Sequence, residues 1–229
     1  MISIIIPILN EAETIEDLLF HLIDHSSLEN ISEIIVVDGG STDGSQEIIK
    51  NLDLKIKLLS SPKGRAKQMN LGAKMATGDI LYFLHADSFP PLHFDELIIS
   101  EVKKGNNAGC FRLQFDSKHW WLRLASWLTQ FSWRASRGGD QSQFITRALF
   151  DEIGGYDENY VIYEDNILIN ELYDRKEFVV INKKIKTSAR LYRKHGVWKL
   201  QYHFWTIYVK KWFGASAEDL LTYYKKYIC

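Results

Sequence analysis

Three acidic motifs lie at or just after apolar runs in this 229-residue chain: Asp38 with Asp43 in DGGSTDGS (38–45), Asp87 closing LHAD (84–87), and the pair Glu164-Asp165 in YEDNIL (163–168). Small residues (Gly39, Gly40, Gly44, Ala86) surround the first two and let a ligand approach the backbone. A hard divalent cation suits such a crevice, since Mg²⁺ or Mn²⁺ takes one or two protein carboxylates and completes its shell with phosphate oxygens. Cations for the phosphates are at hand in Lys63, Arg65 and Lys67. Each motif also has a plainer reading. DGGSTDGS is good turn and cap chemistry, Arg65 could pair with a surface carboxylate, and Glu164-Asp165 could complement a helix dipole.

The elements that must carry these residues are legible in the first half. Residues 2–6, 34–37 and 80–84 are short apolar runs, as expected of strands buried on both faces of a parallel sheet, and 54–59 reads as a further strand. Helical patterns alternate with them. Ile15, Leu18, Leu19, Leu22 and Ile23 give one buried face, with Asn10 as candidate N-cap and Glu13 at capping-box spacing; 45–51 and part of 64–76 follow. Strands alternating with helices of this length imply βαβ units, so the acids at strand ends collect on one sheet edge, where open α/β folds bind ligands. The second half is less regular: helices over 94–104, 120–133, 164–174, 197–212 and 217–227, strands over 108–115 and 144–146, and a last strand at 187–191.

Composition describes an ordinary globular chain, 46% hydrophobic and 25% charged, long enough for one well-buried core. Its net charge of −1 hides an asymmetry: residues 182–229 hold 11 of the 28 Lys/Arg but only 2 of the 29 Asp/Glu. A basic tail of this kind meets phosphates, an anionic membrane surface or the acidic body of its own chain. The two cysteines, Cys110 and Cys229, form no CxxC or His/Cys cluster, which excludes a disulfide framework and argues against structural zinc. The first residues lack a secretory pattern and no run reaches 18 apolar residues, so the expected location is the cytoplasm, with peripheral contact at the inner face of the membrane as an extension. The terminal Cys229 does not form a prenylation box.

Six segments in register, PILNEAETI (7–15), VVDGGSTDGS (36–45), GRAKQMNLGA (64–73), GDILYFLHADS (78–88), GGDQSQF (138–144) and YEDNIL (163–168), resemble family 2 glycosyltransferases. More narrowly they resemble the small bacterial branch with an LHAD metal motif and a KHGVW-type segment, here 194–198. The resemblance covers essentially the whole chain. It implies a GT-A α/β fold: a single Rossmann-like, mostly parallel sheet flanked by helices, with C-terminal helices. The chain then divides into a nucleotide-sugar-binding half (1–115), an acceptor and catalytic half (116–190) and a basic aromatic helical tail (191–229), all within one domain. It further implies an inverting, metal-assisted transfer of a sugar from a nucleotide-diphosphate donor. Asp38, able to pair with a uracil N–H, favours a UDP-sugar. The aromatic, lysine-bearing segment 197–213 suits a lipid-linked acceptor beside a saccharide one, and no nucleic-acid partner is expected. By resemblance, the backbone at Pro7 and Leu9, with Glu11, holds the nucleoside. Asp38 accepts from the base and Arg65 flanks base or phosphate. Asp87 ligates Mn²⁺ or Mg²⁺, with His195 as a second candidate. Asp165, beside Glu164, is the general base, and Gly139, Asp140 and Gln141 border acceptor and donor sugar.

One departure matters: His85 replaces the first acid of the usual DxD pattern. A non-catalytic nucleotide-sugar or membrane-surface binding protein is the main alternative. A sugar nucleotidyltransferase is a weaker one, because no Gly-rich loop with Arg and Lys follows the first strand. The aromatic segment 120–133, with Trp120, Trp121, Leu124, Trp127, Leu128 and Phe131 at helical spacing, reads first as a core face and otherwise as a sugar-stacking or membrane surface. The segment 197–213 mixes Trp198, Tyr202, Trp205, Trp212 and Phe213 with lysines, which suits core packing or an interfacial helix.

Overall fold

Eight strands form one mixed sheet in a computed structural model that describes residues 1–228. Its parallel half places β1 (Ile2–Ile8) between β2 (Ile31–Asp38) and β4 (Ile80–Phe83), with β3 (Ile56–Ser60) outside β2. Beyond β4 the sheet continues through the antiparallel β7 (Gln143–Thr146) to β6 (Ala108–Phe115), β8 (Phe178–Thr187) and the two-residue β5 (Ser88–Phe89). β6 and β8 run parallel to each other.

Alternation in β1 explains how both faces are covered. Ile2, Ile4, Ile6 and Ile8 pack with Leu18, Leu19 and Leu22 of α1 (Ile15–Asp24), while Ile5 joins Met69 and Ala73 of α3 (Arg65–Met75) on the other face. Each such side chain contributes about 1.5–3 kcal/mol of burial. α2 (Ser45–Asn51) and α4 (Phe94–Lys103) sit on the α1 side; α6 (Arg147–Ile153) and α7 (Glu164–Asp174) sit on the α3 side. α3 comes close enough to β1 that a Cβ on Gly72 would run into Ile5 Cγ2 and lie 3.2 Å from Val37 Cγ2. Pro7 is accommodated in this central strand because the N–H it lacks would face β4, whose ladder with β1 has already ended at the Ile5–Phe83 pair. The chain finishes with α5 (Trp120–Leu128) beside β6, and α8 (Arg190–His195), α9 (Val197–Trp212) and α10 (Ala217–Tyr227) around a small separate cluster of Leu200, Ile207, Leu220 and Ile228.

Three expectations are corrected. Asn10 does not cap α1, which starts at Ile15 after Thr14; instead Asn10 adopts φ 57°, its N–H donates to Ser41 Oγ (2.8 Å) and its Oδ1 accepts from Thr42 N–H (2.8 Å). The last strand is Phe178–Thr187, not 187–191, and residues 190–195 are helical. The spaced aromatics of α5 and the segment after it are not a core face: Leu122 is buried, but Trp120, Leu124, Trp127 and Phe131 are exposed. Cys110 is buried, as its strand position suggested, and Cys229 lies outside the described residues. No helix among the described residues is long and apolar enough to cross a membrane.

Candidate active site

The carboxyl ends of β1, β2 and β4 deliver the first group of residues. Asp38 ends β2 and is 1% exposed. Its carboxylate folds the following loop onto itself, accepting from Gly40 N–H (3.1 Å), Ser41 N–H (3.0 Å), the Ser41 hydroxyl and the Gln46 amide. Burial pushes its pKa up, but these donors outweigh it and hold it below the ordinary value. The same loop is laced to the end of β1: Glu11 N–H donates to Ser45 Oγ (3.0 Å) and Ala12 N–H to Asp43 Oδ2 (2.9 Å). Buried Gln68 of α3 donates to Ile8 O (2.8 Å) and Val37 O (2.7 Å), tying the β1 and β2 ends to the helix. The turn reading of DGGSTDGS is therefore correct, and the loop it builds frames the crevice.

Asp87 follows β4 and lines a cavity of about 730 Å³ with Thr187, Ser188, Lys186, Lys118 and Phe115. Its side chain is 17% exposed and its Oδ2 lies 3.5 Å from Arg190 Nε. Burial, then Asp140, raises its pKa against the pull of His85 and Arg190. Arg190 was not singled out in the sequence. It forks onto Glu11, donating to both carboxylate oxygens (2.7 and 2.5 Å), so one guanidinium from the C-terminal part spans Glu11 and Asp87. The one available signal was the basic run 190–195, which the misplaced last strand obscured.

The second group is carried by α3, α7 and the turn Gly139–Gln141. Arg65, the first residue of α3, donates to Glu164 Oε1 at 2.9 Å and lies 3.7 Å from Asp165 Oδ2. Burial works against its charge, yet the two acids hold its proton more firmly than usual. Glu164 is 1% exposed and its Oε2 has no hydrogen-bond partner; burial raises its pKa to about 7, with Asp165 adding to and Arg65 opposing the rise. Asp165, 8% exposed, is the less buried member of the pair. His85 stands between Asp165 Oδ2 (3.8 Å from Nε2) and Asp140 Oδ1 (3.4 Å from Nδ1). Burial and Arg65 disfavour the imidazolium, but Asp140 and Asp165 outweigh them and raise its pKa.

Gly139 explains itself by geometry. A Cβ there would fall 2.6 Å from Asp165 Cγ and 2.7 Å from His85 Cε1, so only a glycine lets the turn lie on that carboxylate. Asp140 is exposed; against a partial desolvation, its contact with His85 and the charges of Arg65 and Arg190 hold its carboxyl below the ordinary value. Gln141 points elsewhere. It is 2% exposed and bonded to Ser136 O (2.6 Å) and to the guanidinium of buried Arg137, which also donates to Thr129 O (2.7 Å). Gln141 and Arg137 brace the turn, and Arg137 gave no signal in the sequence.

The structure thus brings together Glu11, Arg65, His85, Asp87, Asp140, Glu164 and Asp165 through the contacts above, with Asp38 at the neighbouring strand end. His195 ends α8, and its buried Nε2 has no hydrogen-bond partner; no described contact joins it to Asp87. Among the described residues no three His, Cys, Asp or Glu side chains gather to hold a metal. Asp87 as the one protein carboxylate nevertheless fits Mn²⁺ or Mg²⁺, whose remaining oxygens would come from a diphosphate and water.

This arrangement, carboxylates and cations at the carboxyl edge of a parallel half-sheet, belongs to the GT-A fold. Solved structures sharing it include the mannosyltransferase PcManGT from Pyrobaculum calidifontis in complex with GDP-Man and Mn²⁺ (TM-score 0.69, 18% identity, covering 98% of this chain and 63% of that one). S. aureus TarS 1-349 in complex with UDP is another (TM-score 0.67, 17% identity, 82% and 60%). The model for glycosyl transferase family 2 matches residues 3–157, and the chain belongs to that family. Among curated relatives, glycosyltransferase AglE of Haloferax volcanii is 32% identical over 106 residues, 44% of this chain and 35% of that protein. The chain spans between 27% and 54% of the length of such curated relatives.

Proposed function

We propose that the chain is an inverting glycosyltransferase that moves a sugar from a nucleotide-diphosphate donor, a UDP-sugar by preference, to the hydroxyl of a saccharide or lipid-linked acceptor. The observation that carries this reading is Asp165: an acid at the start of α7, less buried than its neighbour Glu164, with Arg65 and His85 beside it and Gly139 packed on its carboxylate. Single displacement needs a base on the face of the sugar away from the leaving diphosphate. Asp165 takes the acceptor proton as the acceptor oxygen bonds to the anomeric carbon. The bond from that carbon to the diphosphate oxygen breaks, and the nucleoside diphosphate leaves with the electron pair. No nucleophilic Ser or Cys takes part.

The remaining residues bind and orient. Pro7 and Leu9 at the end of β1 and Asp38 at the end of β2 border the nucleoside, with the Gln46 amide holding the acceptor site a base N–H would use. Glu11 holds Arg190, and Arg190 and Arg65 supply positive charge for the diphosphate. Glu164 is sealed from substrate and acts through Arg65. Asp140, exposed beside His85, faces the acceptor side. A divalent cation on Asp87 would neutralise charge developing on the leaving diphosphate.

The test is Asp165→Asn, which keeps shape and removes the base. Transfer from a UDP-sugar should fall about 10²–10⁴-fold with donor affinity by calorimetry unchanged. Transfer at the wild-type rate would sink the assignment.

A further inference from the structure

All seven Trp residues of this chain lie in two segments, 120–133 and 198–212, and six of them are exposed. They are ordered by helix geometry. On α9 the exposed apolar and aromatic residues are Trp198, Tyr202, Trp205, Val209 and Trp212, spaced i, i+4, i+7, i+11, i+14, a single outward stripe. The opposite side of α9 buries Leu200 and Ile207 against the protein, so the helix has two apolar faces and only one is covered. On α5 and the residues after it, Trp120, Leu124, Trp127 and Phe131 repeat the pattern. The stripes join where Trp120 and Trp121 pack against Trp198 (ring centroids 5.7 and 5.4 Å) and Trp121 Nε1 donates to Gln201 Oε1 (3.1 Å). Trp212 and Phe213, 87% and 84% exposed, end the surface. An apolar patch of this extent marks a binding surface.

Its charge says what it binds. Neither α5 nor α9 carries an acid. Beside α5 a cavity of about 650 Å³ is lined by Arg112, Lys118, Arg123 and Lys184 together with Trp120 and Trp127, and by no carboxylate. Buried Arg112 Nε has no hydrogen-bond partner there. Lys118 and Phe115 also line the cavity that holds Asp87, so the basic pocket adjoins the crevice. Two copies of the chain meeting through this face would oppose like charges, whereas an anionic bilayer offers phosphates to the cations and an interfacial zone to the Trp rings.

We infer that the joined face of α5 and α9 docks the protein on an anionic lipid bilayer, with Arg112, Lys118, Arg123 and Lys184 taking a lipid phosphate and the Trp stripe entering the interface. The proposal deepens the glycosyltransferase reading by placing a lipid-linked acceptor beside Asp87, and vesicle binding needs neither donor nor acceptor, so its failure is separable from a failure of transfer. The experiment sediments the full chain with phosphatidylcholine vesicles and with vesicles containing phosphatidylglycerol, alongside Trp fluorescence with brominated acyl chains. Anionic vesicles should pellet the protein and quench it; neutral ones should hold much less. Arg123→Glu with Lys184→Glu should weaken binding about tenfold or more, and Trp198→Ser with Trp212→Ser should reduce the quenching, with far-UV circular dichroism unchanged in both. Wild-type protein left in the supernatant, equal binding to neutral vesicles, or a concentration-dependent dimer abolished by the Trp substitutions would each overturn it.

Discussion

Replacing Gly139 by alanine adds one methyl group and asks whether the carboxylate beneath it is the base. Gly139 has no left-handed φ, so alanine costs nothing in backbone strain and acts through its Cβ alone. That Cβ would run into Asp165 Oδ2 and lie 2.6 Å from Asp165 Cγ and 2.7 Å from His85 Cε1, where ordinary contacts begin at 3.4 Å, so the carboxylate must retreat by about 1 Å or more. The turn is braced behind by Arg137 and Gln141, and the Asp165 carboxylate is the softer partner. A displacement near 1 Å costs on the order of 10²-fold in rate, and overpacking costs about 1–3 kcal/mol of stability. The assay measures kcat and donor affinity for Gly139→Ala, Asp165→Asn and the double variant. Gly139→Ala should lose about 10²-fold in kcat with donor binding intact, and the double variant should be no worse than Asp165→Asn alone. Gly139→Ala with kcat within twofold of wild type, and correctly folded, would refute the placement of the base.

Glu164 predicts a pH dependence of stability. Its folded pKa is raised by burial and by Asp165, against Arg65 and His85, so between about pH 4.5 and 7 the folded chain holds a proton that the unfolded chain releases, and this contribution to stability is lost as pH rises. Glu164→Gln should remove that loss, its unfolding free energy gaining about 1–3 kcal/mol on wild type between pH 5 and 7; parallel denaturation curves at both pH values would contradict it. Asp87→Ala should abolish the Mn²⁺ dependence of nucleoside-diphosphate binding, and calorimetry giving the same ratio of affinities with and without Mn²⁺ as wild type would remove Asp87 from that role.

The parallel half of the fold was legible because its strands are mainly apolar and their polar ends announce the sheet edge, as at Phe83 to Asp87. β8 was not. Its ladder with β6 skips from Phe111–Ile181 to Arg112–Lys184, which breaks the alternation a strand is read by, and Lys183, Lys184 and Lys186 face outward. Helical spacing placed Trp120, Trp127 and Phe131 on one face but could not say what that face meets, and it meets solvent. The acids were found by type and position. Their partners were not, since Arg190 and Glu11 are 179 residues apart, and nothing local distinguishes Glu164, sealed against Arg65, from its slightly more exposed neighbour Asp165.

The bridge from Arg190 to Glu11 has a bearing on how such a chain can be recombined. The family match ends at residue 157, so Glu11, Asp38 and Asp87 lie inside it while Asp165 and Arg190 lie beyond. A chimera that grafts a foreign C-terminal part onto 1–157 would therefore inherit Glu11 without its counter-ion, leaving a mostly buried carboxylate unneutralised beside Asp87. Exchangeable parts of this chain are not blocks of sequence: Glu11 and Arg190 have to travel together.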